Sequence, residues 1–355
     1  MREDNYYKII EVVIYKSMKK IFSFIMLAGI VLTTGCGVEE TQNNNTTVDS
    51  NQENGEKEKV TVVLDWTPNT NHTGMYVALE KGYYDELGID VEIQQPPEGG
   101  ALALVASDKA QFAVDFQESL GPAIATENPL PVVAVATLLE HNTSGLISLK
   151  ETGINSPKDL EGKAYATWDT PMEKAIIGDI MKTDGGDIKN VEMIPNTVTD
   201  VITALQTDID VVWIYYGWDG VATELAGLET NYLDFRKLNP VFDFYTPILV
   251  SSEKYLEENP ESAKKFLEAT AKGYEYAIEN PEKAAEILVK HAPELDIELA
   301  TASQKYMAEQ YMAEKEDWGT IDSARWTKFY DWMYDNDLLE KDLQSEGFTN
   351  EFLLQ

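Results

Sequence analysis

Apolar residues in the first part of the chain's body follow two alternating periods, and the alternation predicts a fold. Residues 60–64, VTVVL, are a nearly continuous apolar run, as a strand covered on both faces requires. Residues 75–81 read as a short helix that stops at Gly82, a residue suited to the left-handed turn that ends helices. Ile89, Val91 and Ile93 then alternate with Asp90 and Glu92, the pattern of a half-buried strand. A helix over 101–106, a strand over 112–114, a helix over 121–125 and a strand over 132–137 complete a βαβαβ order. That order predicts the α/β class with a mainly parallel sheet.

The pattern restarts after Ser148. Residues 163–166, 191–194, 211–214 and 231–235 read as strands, with helices near 198–206 and 221–228. Thr170-Pro171-Met172-Glu173 is a helix start: Thr170 can cap, Pro171 suits the first helical position, and Glu173 would complete a capping box. One more apolar strand, 247–250, precedes a tail that is almost wholly helical, with Phe266, Ala269, Gly273, Ala277 and Ile278 at helical spacing. Trp318, Trp326, Phe329, Tyr330 and Trp332 share that spacing and are expected in the core, as is Trp213 within its strand. Two α/β lobes result, 60–146 and 147–245, joined near 145–148 and 245–249, with 246–355 returning to the first lobe as C-terminal helices. Two crossings permit a hinge. A cleft between the lobes would be lined by strand ends and helix N-termini, where open α/β sheets bind ligands.

Residues 1–59 carry a different signal. The apolar run 21–32, IFSFIMLAGIVL, is as long as a signal-peptide core and short for a membrane span. Lys16, Lys19 and Lys20 precede it, and Thr33-Thr34-Gly35-Cys36 follows. This arrangement resembles the bacterial lipoprotein signal, in which the Cys is acylated, although Thr33 stands where Leu is usual. Residues 1–35 are therefore expected to be a signal peptide, with Met18 as the natural start and 1–17 an upstream mis-start. Cys36 is the expected lipidation site, and 36–59 a polar tether that cannot bury a core. Such a tether reaches on the order of 25 Å and would hold the body outside the cell at its membrane.

Four polar loops follow strand ends: Asp65 to His72, Asp115 to Ser119, Thr167 to Thr170, and Tyr215 to Asp219. In a parallel sheet those ends share one edge, so the loops can converge on the cleft. Each contains an aromatic residue, and flat aromatic walls suit a flat ring. Asp, Asn, Gln and Glu beside them suit a ligand with amino groups and ring nitrogens. Trp66 and Trp168 are the leading wall residues, and Gln117 is a candidate polar contact. Asn71 or Thr70 can cap the following helix, and His72 is balanced between a structural and a ligand-facing role. No Lys or Arg lies in these loops, which argues against an anionic ligand and for a neutral or weakly cationic heterocycle.

Composition narrows the picture further. With 28 basic against 62 acidic residues the formal charge is −34, which repels nucleic acid. The single cysteine allows no disulfide framework or Cys-based metal site within the chain, and no Walker loop, GxGxxG or HExxH appears. The expectation is a monomer without catalytic residues, metal or cofactor.

The stretch LDWTPNTNHTGMYVALEKGYYDELGIDVEI resembles the thiamin-pyrimidine branch of the extracytoplasmic binding proteins, the NMT1/THI5-like family. So do PPEGGALALVASDKAQFAVDFQESL, VWIYYGWDGVATEL, FYTPILV and KGYEYAIENPEKAAEILV, and the likeness covers roughly 60–355. It implies a type II periplasmic binding protein with two hinged lobes. The ligand implied is a thiamin-derived pyrimidine, N-formyl-4-amino-5-aminomethyl-2-methylpyrimidine. The partners implied are an ABC permease with its ATPase, and the membrane through the lipid anchor. By resemblance Asp65, Trp66, Asn69 and His72 would contact the pyrimidine from one lobe, and Trp168, Tyr215, Tyr216 and Trp218 from the other. The same fold could instead take riboflavin, taurine or an alkanesulfonate. The family also contains a hydroxymethylpyrimidine phosphate synthase that consumes its own histidine and pyridoxal phosphate. His72 stands six residues after Trp66, as in that enzyme, but the enzyme's cysteine-rich iron-binding motif is missing, since Cys36 is the only cysteine.

Overall fold

The computed structural model describes residues 57–97 and 100–353; the predicted signal peptide, the Cys36 lipidation site and most of the tether lie outside them. Among the described residues ten strands form two sheets of five. The first holds β1 (Glu58–Val63), β2 (Ile89–Gln94), β3 (Phe112–Asp115), β4 (Val132–Thr137) and β10 (Ile248–Ser252), in the order β2-β1-β3-β10-β4. The second holds β5 (Ser144–Leu149), β6 (Ala164–Thr167), β7 (Glu192–Pro195), β8 (Val211–Tyr215) and β9 (Thr230–Asp234), in the order β7-β6-β8-β5-β9.

In each sheet the first three strands of the order are parallel, and the fourth is antiparallel to both its neighbours. Those antiparallel strands are β10 and β5, and both are almost wholly buried because they occupy interior slots. This moves the lobe boundaries. Of the segments expected to bridge the lobes, 145–148 lies within β5, while 245–249 spans the end of the second crossing and the start of β10. The chain crosses between sheets just before each of them, over 138–143 and 235–247. The strand β1 starts two residues earlier than its apolar run, since Glu58 and Lys59 pair in register with Ile89 and Asp90.

Among the described residues seven helices have eight or more residues: α1 (Thr73–Glu80), α2 (Gln117–Ile124), α3 (Pro171–Thr183), α4 (Pro260–Glu279), α5 (Pro281–His291), α6 (Ile297–Ala308) and α7 (Ser323–Asp335). No described helix is long and apolar enough to cross a membrane. Apolar faces of α1 and α4 pack on the first sheet, and the two helices touch at Gly74 and Gly273. A Cβ on Gly273 would collide with the Gly74 carbonyl, so only glycine lets the backbones meet there. The C-terminal aromatics are core, as their spacing predicts. Trp318 stacks on Tyr274 at 4.5 Å, and Phe329 stacks on Phe244 of the second crossing at 4.0 Å. Trp326, Phe329 and Tyr330 are fully buried. The helix α7 thus packs against the crossing segment that connects the two sheets.

Candidate ligand-binding site

The loop after β1 is a turn whose polar groups mostly satisfy one another. Asn69 caps the short 3₁₀ turn Thr70–His72: its Oδ1 accepts from the Asn71 amide at 2.9 Å, and its Nδ2 donates to the Thr67 carbonyl at 3.1 Å. The Asn69 amide donates to His72 Nδ1 at 3.2 Å, which leaves Nε2 to carry the proton that it gives to Asp65 Oδ1 at 2.6 Å. His72 is fully buried and both ring nitrogens are engaged, so in this conformation it acts on the cleft through Asp65. Tyr274 and Tyr311 anchor the loop from behind, donating to the Asn71 and Thr70 carbonyls at 2.6 Å each. Trp66 projects from this braced loop and is 56% exposed.

The end of β3 brings Asp115 and, one helical turn later, Glu118. Burial pushes the Asp115 carboxyl up to about 7, with the Asp65 charge adding to the effect. Burial pushes Glu118 up to about 8, with Asp115 adding to it. Glu118 Oε1 lies 3.5 Å from the Thr246 hydroxyl of the second crossing, and Oε2 is buried with no partner. Gln117, a candidate polar contact by sequence, is placed as a brace. It is fully buried, its Oε1 accepts from the Tyr245 amide at 2.8 Å, and its Nε2 donates to the Trp326 carbonyl at 3.1 Å. Its amide locks α2 to the second crossing and to α7.

In the second sheet Trp168 follows β6 and is 42% exposed. Thr170 caps α3 as expected, accepting from the Glu173 amide at 3.2 Å. The capping box does not close, because the Glu173 carboxylate turns inward. It accepts from Tyr165 at 2.5 Å, Thr167 at 2.7 Å and the Trp168 amide at 3.2 Å, and so fixes the backbone that carries Trp168. Trp168 lies 5.6 Å from the ring of Trp213, which is 3% exposed and core, as its strand position predicts.

Tyr215 and Tyr216 part company. Tyr215 lies within range of the Glu118 and Asp65 charges, and burial first, then those charges, push its phenol well above its ordinary value. Tyr216 begins the wide turn Tyr216–Gly220, bonds to Glu224, and packs on Tyr232 at 4.7 Å and Tyr306 at 5.3 Å. Adjacent residues at a strand end point to opposite faces, so Tyr216 sits apart from the acids. Trp218 lies half-buried in the same turn. Asp65, Trp66, Asp115 and Glu118 thus lie at strand ends of the first sheet and Trp168 and Tyr215 at strand ends of the second, with His72 bonded to Asp65 and Asn69 capping its turn.

Among the described residues no Lys or Arg pairs with Asp65, Asp115 or Glu118. A surface hollow lined by Thr126, Glu127, Asn128 and Glu340 lies beyond the far end of α2 and holds no aromatic residue. Glu140, His141 and Glu314 have metal-like spacing, with ligand atoms within 4.8 Å of one another. Arg325 Nη2 lies 2.8 Å from Glu140, however, and Lys315 Nζ 3.8 Å from it, so the group forms an ion-pair network around the crossings.

Comparison with known proteins places the chain. The NMT1/THI5-like family matches residues 69–284. The chain belongs to this family. One NMT1/THI5-like relative is the formylaminopyrimidine-binding protein of Halalkalibacterium halodurans, 29% identical over 81% of this chain and 88% of the relative. Another is the 4-amino-5-hydroxymethyl-2-methylpyrimidine phosphate synthase of Legionella pneumophila, 30% identical over 77% of this chain and 86% of that protein. Among solved structures, the alkanesulfonate-binding protein SsuA of Xanthomonas axonopodis pv. citri, bound to MOPS, superposes with a TM-score of 0.64 at 10% identity, covering 83% of this chain and 99% of that one. The fold is that of the periplasmic binding proteins.

For this NMT1/THI5-like chain, reading the sequence passed over Asp115 and Glu118 individually in favour of Gln117. A signal for Asp115 was present: an apolar-Asp-aromatic triplet stands at the C-terminal end of each of β1 and β3, Leu64-Asp65-Trp66 just after the one and Val114-Asp115-Phe116 across the end of the other. Ser303 of α6 was also missed. Its hydroxyl lies 2.6 Å from Thr70 Oγ1 and donates to the Gly217 carbonyl, joining the loop after β1 to the turn after β8. No sequence signal points to it.

Proposed function

We propose that this protein is the substrate-binding lipoprotein of an ABC importer and captures N-formyl-4-amino-5-aminomethyl-2-methylpyrimidine for salvage. One observation carries the reading. Two exposed tryptophans, Trp66 and Trp168, stand at strand ends of different sheets, and the cation-free acids Asp65, Asp115 and Glu118 gather at the ends of β1 and β3. Exposed indoles supply flat apolar walls, and carboxyl groups meet ring nitrogens and amino groups. The two crossings permit hinge closure, a population shift toward a closed form that a permease recognises. Cys36 would be acylated and the body held at the extracytoplasmic face by the tether, as a monomer.

The same acids speak against a sulfonate, which needs cationic or amide donors where this site presents carboxyls. The synthase reading draws on the Legionella relative, but this chain has one cysteine for an iron-binding motif, and both His72 nitrogens hold structural bonds. Calorimetric titration with formylaminopyrimidine, hydroxymethylpyrimidine, thiamin, riboflavin and taurine tests the ligand. Tight binding of the formyl compound alone supports the reading, and heat from riboflavin or taurine without it sinks the ligand assignment. Cys36→Ser should move the protein from the membrane fraction to the soluble one; an unchanged distribution removes the lipid anchor.

A further inference from the structure

Three acids from two strand ends meet at the junction of the lobes without a cation. Asp65 follows β1, Asp115 ends β3, and Glu118 lies in the first turn of α2. Asp65 acts on Asp115, Asp115 acts on Glu118, and both Asp65 and Glu118 act on Tyr215 at the end of β8 in the second sheet. Tyr330 of α7 donates to the Gln117 carbonyl at 3.1 Å, within range of both the Asp115 and Glu118 charges, and His72 holds Asp65. Glu118 is 8% exposed, and its Oε2 has no partner although every neighbouring polar group is arranged. A buried oxygen without a partner is rare in a folded protein, and here it lies beside the strand ends that form the cleft.

We propose that Glu118 is the group that recognises the amidine edge of the ligand, a basic ring nitrogen with an adjacent amino group, and that the empty cleft stores the proton this edge needs. The inference rests on the aminopyrimidine reading above and adds the chemistry of recognition. In the empty protein Glu118 is a neutral acid. When the heterocycle docks, the Glu118 O–H bond breaks and an N–H bond forms at the ring nitrogen. The resulting carboxylate accepts two parallel hydrogen bonds, one from the ring N–H and one from the amino group. No proton is exchanged with solvent, so a neutral ligand becomes a buried ion pair without either partner entering as an ion. Burial supports this proton placement, holding Glu118 up to about 8. Asp115 and Asp65 deepen the negative field that keeps the ligand cationic, which also excludes anions of similar shape.

Two probes of opposite charge behaviour test this. The neutral formylaminopyrimidine should bind with level affinity through neutral pH, then lose about tenfold per pH unit above the Glu118 value, because the missing proton must come from solvent. Benzamidine, a flat ring with a permanent amidinium, needs the carboxylate. Its affinity should rise about tenfold per unit up to that value and then level off. Glu118→Gln should weaken both by about tenfold or more and remove both slopes. Without any ligand, infrared difference spectra should show a buried protonated-carboxyl band that titrates away in alkali and is removed by Glu118→Gln, beside a second band from Asp115 that titrates at lower pH.

Absence of the Glu118 band in the wild-type protein overturns the proposal. Slopes of the same sign for both probes, or slopes that persist in Glu118→Gln, also overturn it. A protein that ignores the pyrimidine yet shows the band and the benzamidine slope keeps the proton store and loses the ligand named under Proposed function. Should Glu118→Gln fail to fold, the wild-type band and the two opposite slopes still decide.

Discussion

His72 Nε2 and Asp65 Oδ1 stand 2.6 Å apart, with the histidine fully buried and the Asn69 amide on its other ring nitrogen. A histidine so placed is a positioning residue for the aspartate. His72→Ala should leave Asp65 without its donor and weaken pyrimidine binding by about 1–3 kcal/mol, the range for orphaning a buried polar partner. Calorimetric affinity with a thermal melt separates lost positioning from lost folding. Incubation with pyridoxal phosphate and iron should leave the mass of the wild-type chain unchanged.

Trp66 and Trp168 are exposed where Trp213, 5.6 Å from Trp168, is core. Trp66→Ala and Trp168→Ala should each reduce affinity by about 2–4 kcal/mol with little change in melting temperature. Trp213→Ala should destabilise the fold by about 3–5 kcal/mol. Equal melting losses for all three would remove the first two from the ligand walls.

The crossings carry a pH-dependent clamp. His141 of the first crossing places Nδ1 2.7 Å from Asp243 of the second and Nε2 3.0 Å from Glu314, while Arg325 Nη1 lies 3.3 Å from the same Asp243 oxygen and Nη2 2.8 Å from Glu140. The bond to Asp243 is the chief cause that raises the His141 pKa above its ordinary value, with burial opposing it and Glu314 adding. A raised histidine stabilises the fold below its unfolded value, and that contribution disappears as pH rises through the folded one. The wild-type protein should therefore melt higher than His141→Gln in mild acid, and the gap should close in alkali. A gap independent of pH would deny His141 this role.

Ser303 holds two ligand loops at once, bonding Thr70 on one side and the Gly217 carbonyl on the other. Ser303→Ala orphans the Gly217 carbonyl and should weaken binding by about 1–3 kcal/mol through faster dissociation. Stopped-flow tryptophan fluorescence reads this directly; an unchanged off-rate would make the link purely structural.

Much of the fold was legible because strand and helix periods survive in local sequence. The runs at 60–64, 112–114 and 211–214 became β1, β3 and β8, with ends shifted by two residues at most. The lobe boundaries were not legible. β5 and β10 read as strands that join the lobes, yet each lies in an antiparallel slot inside one sheet, and only the pairing partners across space decide that. At the site, aromatic loops at strand ends announced Trp66 and Trp168 by residue type. The choice between Gln117 and Glu118 was invisible, since neighbours in sequence at a helix start point in different directions. Gln117 met the Tyr245 and Trp326 backbone, and Glu118 kept a buried oxygen free.

The sequence by itself determined the α/β alternation, the aromatic-rich loops and the shortage of cationic groups beside them, because these depend on periodicity and residue type. Tertiary structure alone decided which acids are buried together, which histidine nitrogen carries its proton, and which residues link the lobes. Burial and hydrogen-bond partnership arise between segments as far apart as the 241 residues between Thr70 and Tyr311, and no local pattern encodes that meeting.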